Sequence, residues 1–205
     1  MSVRILAVSD AIESTLESST LRDRLGPIDL LVGCGDLPAA YLEALVTRLN
    51  VPAVCVPGNH DPDRFEVAGW VEIDGALRRA GPVSVVGLGG SRRYKSDGRH
   101  QYSETEMRVR VAALLPILVL RRLRFGRGAD IAVTHAPPRG VHDGSDIPHI
   151  GFEAFHFLLR AARPRLLLHG HTPYLSNLHP SESALFETRI INVNPFRVVE
   201  LGIET

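Results

Sequence analysis

The chain has 205 residues, of which 44% are hydrophobic and 22% charged, a balance that is ordinary for a soluble globular protein. Its formal net charge is zero, so no global field attracts it to nucleic acid or to a membrane. The N-terminus lacks the pattern of a signal peptide, and the longest apolar stretch, residues 111–120, is too short to span a bilayer. We therefore expect no membrane partner. The two isolated cysteines, Cys34 and Cys55, favour a reducing, cytoplasmic location.

Short apolar runs alternate with amphipathic stretches along the chain, which predicts one α/β layered domain over residues 1–205. The predicted strands span residues 4–9, 30–33, 53–56, 83–88, 131–134, 166–169, 188–193 and 197–202. The predicted helices span residues 38–49, 103–124 and 151–162. Ser103 and Glu106 have the spacing of a capping box, and Pro116 is expected to kink or split the second of these helices.

Residues able to bind a metal or transfer a proton recur directly after the predicted strands. They are Asp10, then Gly-Asp at 35–36, Gly-Asn-His-Asp at 58–61, Thr-His-Ala-Pro-Pro at 134–138 and Gly-His-Thr-Pro at 170–173. Taken singly, each is weak, because an aspartate after a strand often caps a helix and a single histidine is often structural. Side chains at the carboxyl ends of neighbouring strands converge on one crevice, so the ordered set predicts a shared site.

This ordered series resembles the motifs of the calcineurin-like metallophosphoesterase superfamily, and the resemblance covers nearly the whole chain. It implies an α/β fold in which two packed mixed β-sheets are flanked by helices, giving four layers. It also implies hydrolysis of a phosphomonoester or phosphodiester by metal-activated water. The partner implied is a small phosphate-ester substrate, while nucleic acid is not excluded and the oligomeric state is open.

The resemblance also implies a role for each motif residue. Asp36 would bridge two metals, Asp10 would bind the first, and Asn59, His135 and His171 would complete the second. His60 would act at the leaving group, oriented by Asp61 or a nearby carboxylate. Oxygen and imidazole ligands suit borderline divalent ions, so one or two ions per chain are expected. Manganese is favoured, with iron, zinc, cobalt, nickel and magnesium as alternatives.

The sequence departs from the family pattern at two positions. Ile12 and Pro173 stand where the pattern has histidines that hold the first metal. The first half-site is therefore predicted to be depleted, with His169, His142 and His149 as candidate replacement ligands. The departure keeps open an alternative function, a catalytically weakened binding or scaffold module on the same fold.

Arginines form the last group of candidates. Arg92 and Arg93 follow a glycine-rich turn and are predicted to bind the substrate phosphate as a bidentate fork, with a pair of solvated loop arginines as the alternative. Further arginines recur along and just beyond the predicted helix 103–124. A solvated helix face is the favoured interpretation of these, and binding of a phosphate polymer is the alternative.

Overall fold

A computed structural model describes residues 1–64, 66–173 and 181–203. Its strands, in chain order, are β1 (Ser2–Val8), β2 (Leu30–Gly33), β3 (Ala53–Cys55), β4 (Val71–Glu72), β5 (Ala76–Ala80), β6 (Val83–Leu88), β7 (Ser91–Arg92), β8 (Gln101–Tyr102), β9 (Ile131–Thr134), β10 (Leu166–His169), β11 (Glu182–Leu185), β12 (Thr188–Asn192) and β13 (Phe196–Gly202). The α-helices are α1 (Leu21–Leu25), α2 (Ala39–Leu49), α3 (Glu104–Phe125) and α4 (Ala154–Ala162). Two 3₁₀ turns span Ser14–Glu17 and Ile147–His149.

The strands form two large mixed sheets. The first has the order β13-β1-β2-β3-β4, in which only β13 is antiparallel to its neighbour. The second has the order β11-β12-β10-β9-β6-β5, with four parallel strands between two antiparallel edge strands. Strands β1, β2, β3, β9 and β10 are thus central or near-central, and the loops at their carboxyl ends carry the predicted site residues.

The two sheets pack face to face, and helices cover their outer faces. Alternate residues of β1, including Val3 and Ile5, meet Val83 and Val85 of β6 in one apolar core cluster. Helix α2 packs on the other face of the first sheet, while α3 and α4 pack on the other face of the second. The predicted four-layer architecture is confirmed.

Most predicted elements lie at the expected positions. Strands β2, β6, β9 and β10 match residue for residue, because each is a short apolar run buried on both faces. The capping box of α3 is confirmed: Ser103 Oγ accepts the N–H of Glu106, and a Glu106 carboxylate oxygen accepts the N–H of Ser103 at 2.7 Å. The short strands β4, β5, β7, β8 and β11 were not predicted.

Pro116 was expected to kink or split the helix, and the split is wrong, because α3 runs unbroken from Glu104 to Phe125. Pro116 is on the exposed side of α3, where water can satisfy the carbonyl that loses its partner. Val111, Leu114 and Leu118 are buried against the second sheet on either side of the proline. This packing holds both halves of the helix against the second sheet. No helix in the described ranges combines the length and apolarity that crossing a bilayer requires.

Candidate metal centre

Four acidic and imidazole side chains meet at the carboxyl ends of the central strands. One ligand atom from each of Asp10, Asp36, His135 and His171 lies within 4.8 Å of every other. Asn59 joins them, since its Oδ1 is 3.0 Å from His135 Nε2. The structure therefore brings together all five residues predicted to bind metal.

The backbone is in an unusual conformation at three of these residues. Asp10, Asp36 and His171 have φ values of 64°, 58° and 65°, in the left-handed region that residues with a Cβ rarely adopt. They lie in the loops that follow β1, β2 and β10, which end at Val8, Gly33 and His169. Strained backbone of this kind clusters at functional sites, so its repetition here supports a functional centre.

The hydrogen bonds of His135 determine which of its nitrogens faces the centre. Its Nδ1 is 2.7 Å from the carbonyl of Cys34, so Nδ1 carries the proton and donates it. Its Nε2 then points to Asn59 Oδ1 at 3.0 Å and to Asp36 Oδ2 at 3.3 Å. Asn59 donates its amide N–H to the hydroxyl of Tyr94 at 3.2 Å, which turns its oxygen toward His135.

Three electron-pair donors therefore converge on one point: an imidazole nitrogen, an amide oxygen and a carboxylate oxygen. Such a set repels itself unless a proton or a metal cation lies among the donors. Mixed nitrogen and oxygen donors suit borderline divalent ions, so the residues fit the metal that the motifs imply.

The pKa values of His135 and Asp36 reflect the short distance between their side chains. Burial opposes ionisation of His135, but the hydrogen bond and negative charge of Asp36 outweigh it and raise the His135 pKa to about 9. Burial also works against the Asp36 carboxylate, yet the bond from His135 prevails and lowers the Asp36 pKa. A positive charge at this position is thus strongly favoured.

His171 supplies an uncharged ring on the other side. Its Nε2 donates to the carbonyl of Pro148 at 2.8 Å, which leaves Nδ1 with a lone pair. Its ring centroid is 4.7 Å from that of His135. Burial, and then the charge of His135, lower the His171 pKa to about 3. The ring is therefore neutral at physiological pH, as a metal ligand must be.

Asp10 connects the first strand to the last motif. Its Oδ2 accepts the backbone N–H of His171 at 2.8 Å, across a sequence separation of 161 residues. Burial raises the pKa of its carboxyl group, although the charge of His135 opposes this. Asp10 thus fixes the loop that carries His171 and contributes a carboxylate to the same cluster.

Asp61 braces two loops of the centre. Its Oδ2 accepts the N–H of Gly58 at 2.7 Å and that of Asp36 at 2.8 Å. His60 is exposed, and its backbone N–H donates to Asp36 Oδ1 at 2.8 Å. Together with Asp36 and Asp61, it lines a cavity of about 340 Å³. Action of His60 at a leaving group, and its orientation by Asp61, stay predictions.

The depleted half-site has no donor at the two divergent positions. Ile12 is 52% exposed and offers no ligand atom, and Pro173 offers none either. The remaining candidates for that half-site in the described ranges are the carboxylates of Asp10 and Asp36.

The three histidines considered as replacements lie outside the cluster of ligand atoms found among the described residues. His169 uses Nδ1 to donate to the Gly170 carbonyl at 3.0 Å, and its Nε2 is 2.9 Å from His142 Nδ1. His142 in turn contacts Ser183 Oγ through Nε2 at 2.9 Å. His149 packs against the His171 ring at 5.1 Å between centroids, with its Nδ1 held by Asp146 at 2.6 Å. These bonds make a second layer around the centre.

Arg92 and Arg93 are engaged with the first turn of α3. Arg92 pairs with Glu104 at 2.8 Å and Arg93 with Glu106 at 2.9 Å. A role in holding substrate phosphate stays a prediction, and it requires these ion pairs to be exchanged for phosphate contacts.

Three groups that orient the ligands had no signal in the sequence: the hydroxyl of Tyr94 and the backbone carbonyls of Cys34 and Pro148. A carbonyl carries no information in residue type, and Tyr94 lies 35 positions from the asparagine that it holds. These contacts depend on how the loops meet, which only the folded structure determines.

Comparisons with known proteins agree with the geometry. A model of the calcineurin-like phosphoesterase family matches residues 3–175. The solved structure of TT1561 from Thermus thermophilus is similar with a TM-score of 0.64 and 18% identity, covering 94% of this chain and 89% of that one. A second solved structure has a TM-score of 0.64 and 13% identity, covering 94% of this chain and 91% of the other. No curated protein sequence matches the chain. The chain belongs to the calcineurin-like phosphoesterase family.

Proposed function

We propose that this chain hydrolyses a phosphomonoester or phosphodiester at a metal centre in which one ion is held firmly. The observation that carries the proposal is the convergence of His135 Nε2, Asn59 Oδ1 and Asp36 Oδ2 on one point. His171 Nδ1 completes the set with a neutral nitrogen, within the same cluster of ligand atoms. With His135 Nε2 unprotonated, the arrangement places buried electron-pair donors against one another, a repulsion that a bound cation relieves.

A divalent ion bound by Asp36, Asn59, His135 and His171 would polarise the phosphoryl group and lower the pKa of a bound water. The chain's own residues contribute position and protons. Asp61 fixes the loops after β2 and β3, so that Asp36 and Asn59 keep their orientation. His60, an exposed residue that lines the cavity, would give a proton to the departing oxygen.

We propose manganese as the metal, because the donor set mixes two imidazoles with carboxylate and amide oxygens. Iron, zinc, cobalt, nickel and magnesium are the alternatives. Binding should be decided by metal analysis of protein purified without chelators, followed by titration of the stripped protein with each ion.

The activity is tested with an aryl phosphate and an aryl phosphodiester, using stripped protein and each added ion. The variants His135→Ala and His60→Ala should lose activity, the second by about 10²–10⁴-fold as for a general acid. His156→Ala is the matched control, because that ring lies away from the centre, on the carbonyl of Arg139. Equal rates for wild type and His135→Ala, with metal present, would contradict the proposal.

The alternative is a binding or scaffold module on the same fold, and the absence of a donor at Ile12 and Pro173 favours it. The same experiment separates the two functions. A scaffold would bind an ion at the His135 centre yet show no turnover of either ester with any metal. We place either function in the cytoplasm, since Cys34 and Cys55 are buried free thiols.

A further inference from the structure

Helix α3 presents an apolar face to solvent. Val109, Ile117, Val119, Leu120 and Leu123 are all exposed, together with Ala112, Ala113 and Pro116 between them. Leu120 and Leu123 are 63% and 78% exposed, and Phe125, at the end of the helix, is 60% exposed. The opposite face, which includes Val111 and Leu118, is buried in the core. A contiguous exposed apolar patch of this kind is typical of an interaction surface.

The charged residues that α3 itself carries along this face are all basic. From Met107 to Ala129 the chain contains no acidic residue, yet it contains arginines at positions 108, 110, 121, 122, 124 and 127. Arg108 and Arg110 are neutralised by carboxylates of Glu104, Glu153 and Asp74. The other four form no ion pair with any carboxylate in the described ranges. Arg121, Arg122 and Arg127 donate to backbone carbonyls, and Arg124 lies over the ring of Phe125.

A basic cavity adjoins the same end of the helix. It has a volume of about 350 Å³, and its lining includes Arg122, Arg160 and Arg163 with the exposed ring of Phe186. Among the described residues, Arg163 alone of these arginines is paired with a carboxylate, that of Glu187 at 3.2 Å. The cavity therefore offers two uncompensated guanidinium groups beside an apolar surface, which suits a phosphate head group.

We propose that the exposed face of α3, with the arginines at its C-terminal end, docks on an anionic lipid bilayer. An apolar helix face with flanking arginines is the pattern of a helix that lies in the plane of a membrane surface. The long arginine side chains can extend from the apolar zone to lipid phosphates. The expectation of no membrane partner rested on the net charge of the whole chain and on the lack of a spanning segment, whereas this attraction is local and needs no span.

Charge decides between a bilayer and a second copy of this chain. A second copy would bring the same uncompensated arginines to the contact. The carboxylates on α3, those of Glu104 and Glu106, are already paired with arginines. An anionic bilayer supplies the opposite charge as well as an apolar layer, so it satisfies both features at once.

The position of the patch leaves the metal centre open. Helix α3 ends at Phe125, and the chain then enters β9 at Ile131, at the end of that strand opposite to His135. The C-terminal end of α3, where Leu123 and Phe125 lie, therefore adjoins the end of β9 opposite to the end that carries the metal centre.

Vesicle co-sedimentation tests the proposal with full-length protein. Wild type should sediment with phosphatidylcholine vesicles that contain about 30% phosphatidylserine and much less with pure phosphatidylcholine. Arg124→Glu should weaken binding by at least about fivefold, since each arginine near the surface contributes about that factor. Leu123→Ser should weaken it by roughly tenfold through lost apolar burial.

Matched controls and a second measurement complete the test. Arg78→Glu and Val71→Ser change an exposed arginine and an exposed valine elsewhere, and both should bind like wild type. Thermal unfolding of every variant verifies that the fold is kept. The proposal is overturned if wild type ignores anionic vesicles or if the α3 variants bind as well as the controls. It is also overturned if light scattering shows a dimer that Leu123→Ser dissociates, because the face would then join two copies.

Discussion

At the scale of single residues, the centre depends on glycines, because the loops that meet there leave no room for a side chain. Gly170 lies so close to the first-strand loop that a Cβ there would overlap the Ser9 hydroxyl and the Asp10 carboxylate. Gly58 stands in the same relation to the carboxylate of Asp36. The glycines of the Gly-Asn-His-Asp and Gly-His-Thr-Pro motifs thus allow the close approach of loops from different strands.

The variant Gly170→Ala should therefore displace Asp10 and lower the free energy of unfolding by about 1–3 kcal/mol, as overpacking does. Metal affinity should fall with it, since the loop that holds His171 moves. Gly202→Ala is the control, because a Cβ at that position meets nothing within 4 Å. Denaturant unfolding and titration calorimetry measure the two effects. Equal stability of the two variants would show that the loop of Asp10 adapts.

A second residue-scale prediction concerns the depleted half-site. Wild type should bind one ion tightly, because Asp10 and Asp36 alone would leave most of a second ion's ligands to water. The double variant with Ile12→His and Pro173→His should bind a second ion with clearly higher affinity. Calorimetric stoichiometry would rise from one toward two, whereas Ile12→His alone should give a smaller effect. Two tightly held transition-metal ions in wild type would show that another residue supplies the missing ligand.

The order of the motifs, with its resemblance to a known family, predicted which residues would meet but not the groups that orient them. Asp36, Asn59, His135 and His171 follow strands in a recognisable order, and the structure brings them together with Asp10. Their orientation depends on backbone carbonyls and on the left-handed backbone at Asp10, Asp36 and His171. Such details arise from tertiary contacts between distant loops, so no local pattern in the sequence encodes them.

At the scale of elements, α3 shows where local signals suffice and where they fail. The spacing of Ser103 and Glu106 predicted the capping box of the helix correctly, because capping is a local interaction. Pro116 was expected to interrupt the helix, but α3 continues through it and packs on the second sheet on both sides of the proline. The edge strands β4, β5 and β11 were missed for a related reason, since they take their pairing from neighbours rather than from an apolar pattern of their own.

The capping box makes a pH-dependent contribution to stability. The backbone N–H of Ser103, then its hydroxyl and Arg93, lower the pKa of Glu106 from 4.5 to about 2. A carboxylate with a depressed pKa stabilises the fold fully above its unfolded value, and the stabilisation is lost as pH falls through the folded value. Glu106→Gln should therefore melt below wild type above about pH 5, and the difference should vanish toward pH 2.

Thermal unfolding followed by circular dichroism across this range measures that difference. Glu200→Gln is the control, because it removes an exposed carboxylate outside the capping box. A melting difference between wild type and Glu106→Gln that stays constant down to pH 2 would contradict the assignment.

At the scale of the whole molecule, the centre joins the two sheets. Asp10, Asp36 and Asn59 follow strands of the first sheet, whereas His135 and His171 follow strands of the second. An ion held by both groups would link the layers at one edge of the apolar core between them. The convergence could be predicted from the motif series, because parallel strands carry their C-terminal loops to one edge. The order of the layers was predicted only through the resemblance of the motifs to a known family.

Metal removal should therefore lower the stability of the whole fold. An ion present at 100 times its dissociation constant stabilises a native protein by about 2.7 kcal/mol. For a chain of this size, such a change corresponds to a shift of roughly 5–10 °C in melting temperature. Calorimetric scans with a chelator and with added manganese test this. His135→Ala should show no metal-dependent shift, and a shift equal to that of wild type would place the ion elsewhere.

The long separation between Asp10 and His171 also has a consequence for biosynthesis. The two residues share one hydrogen bond across 161 positions, and both belong to the ligand cluster. A ribosome-bound chain that has not yet emerged beyond His171 cannot form this site, however early the first sheet begins to fold. An ion could therefore be held by the full set of ligands only after the segment that carries His171 has emerged, and a shorter nascent chain has no complete centre with which to capture the wrong ion.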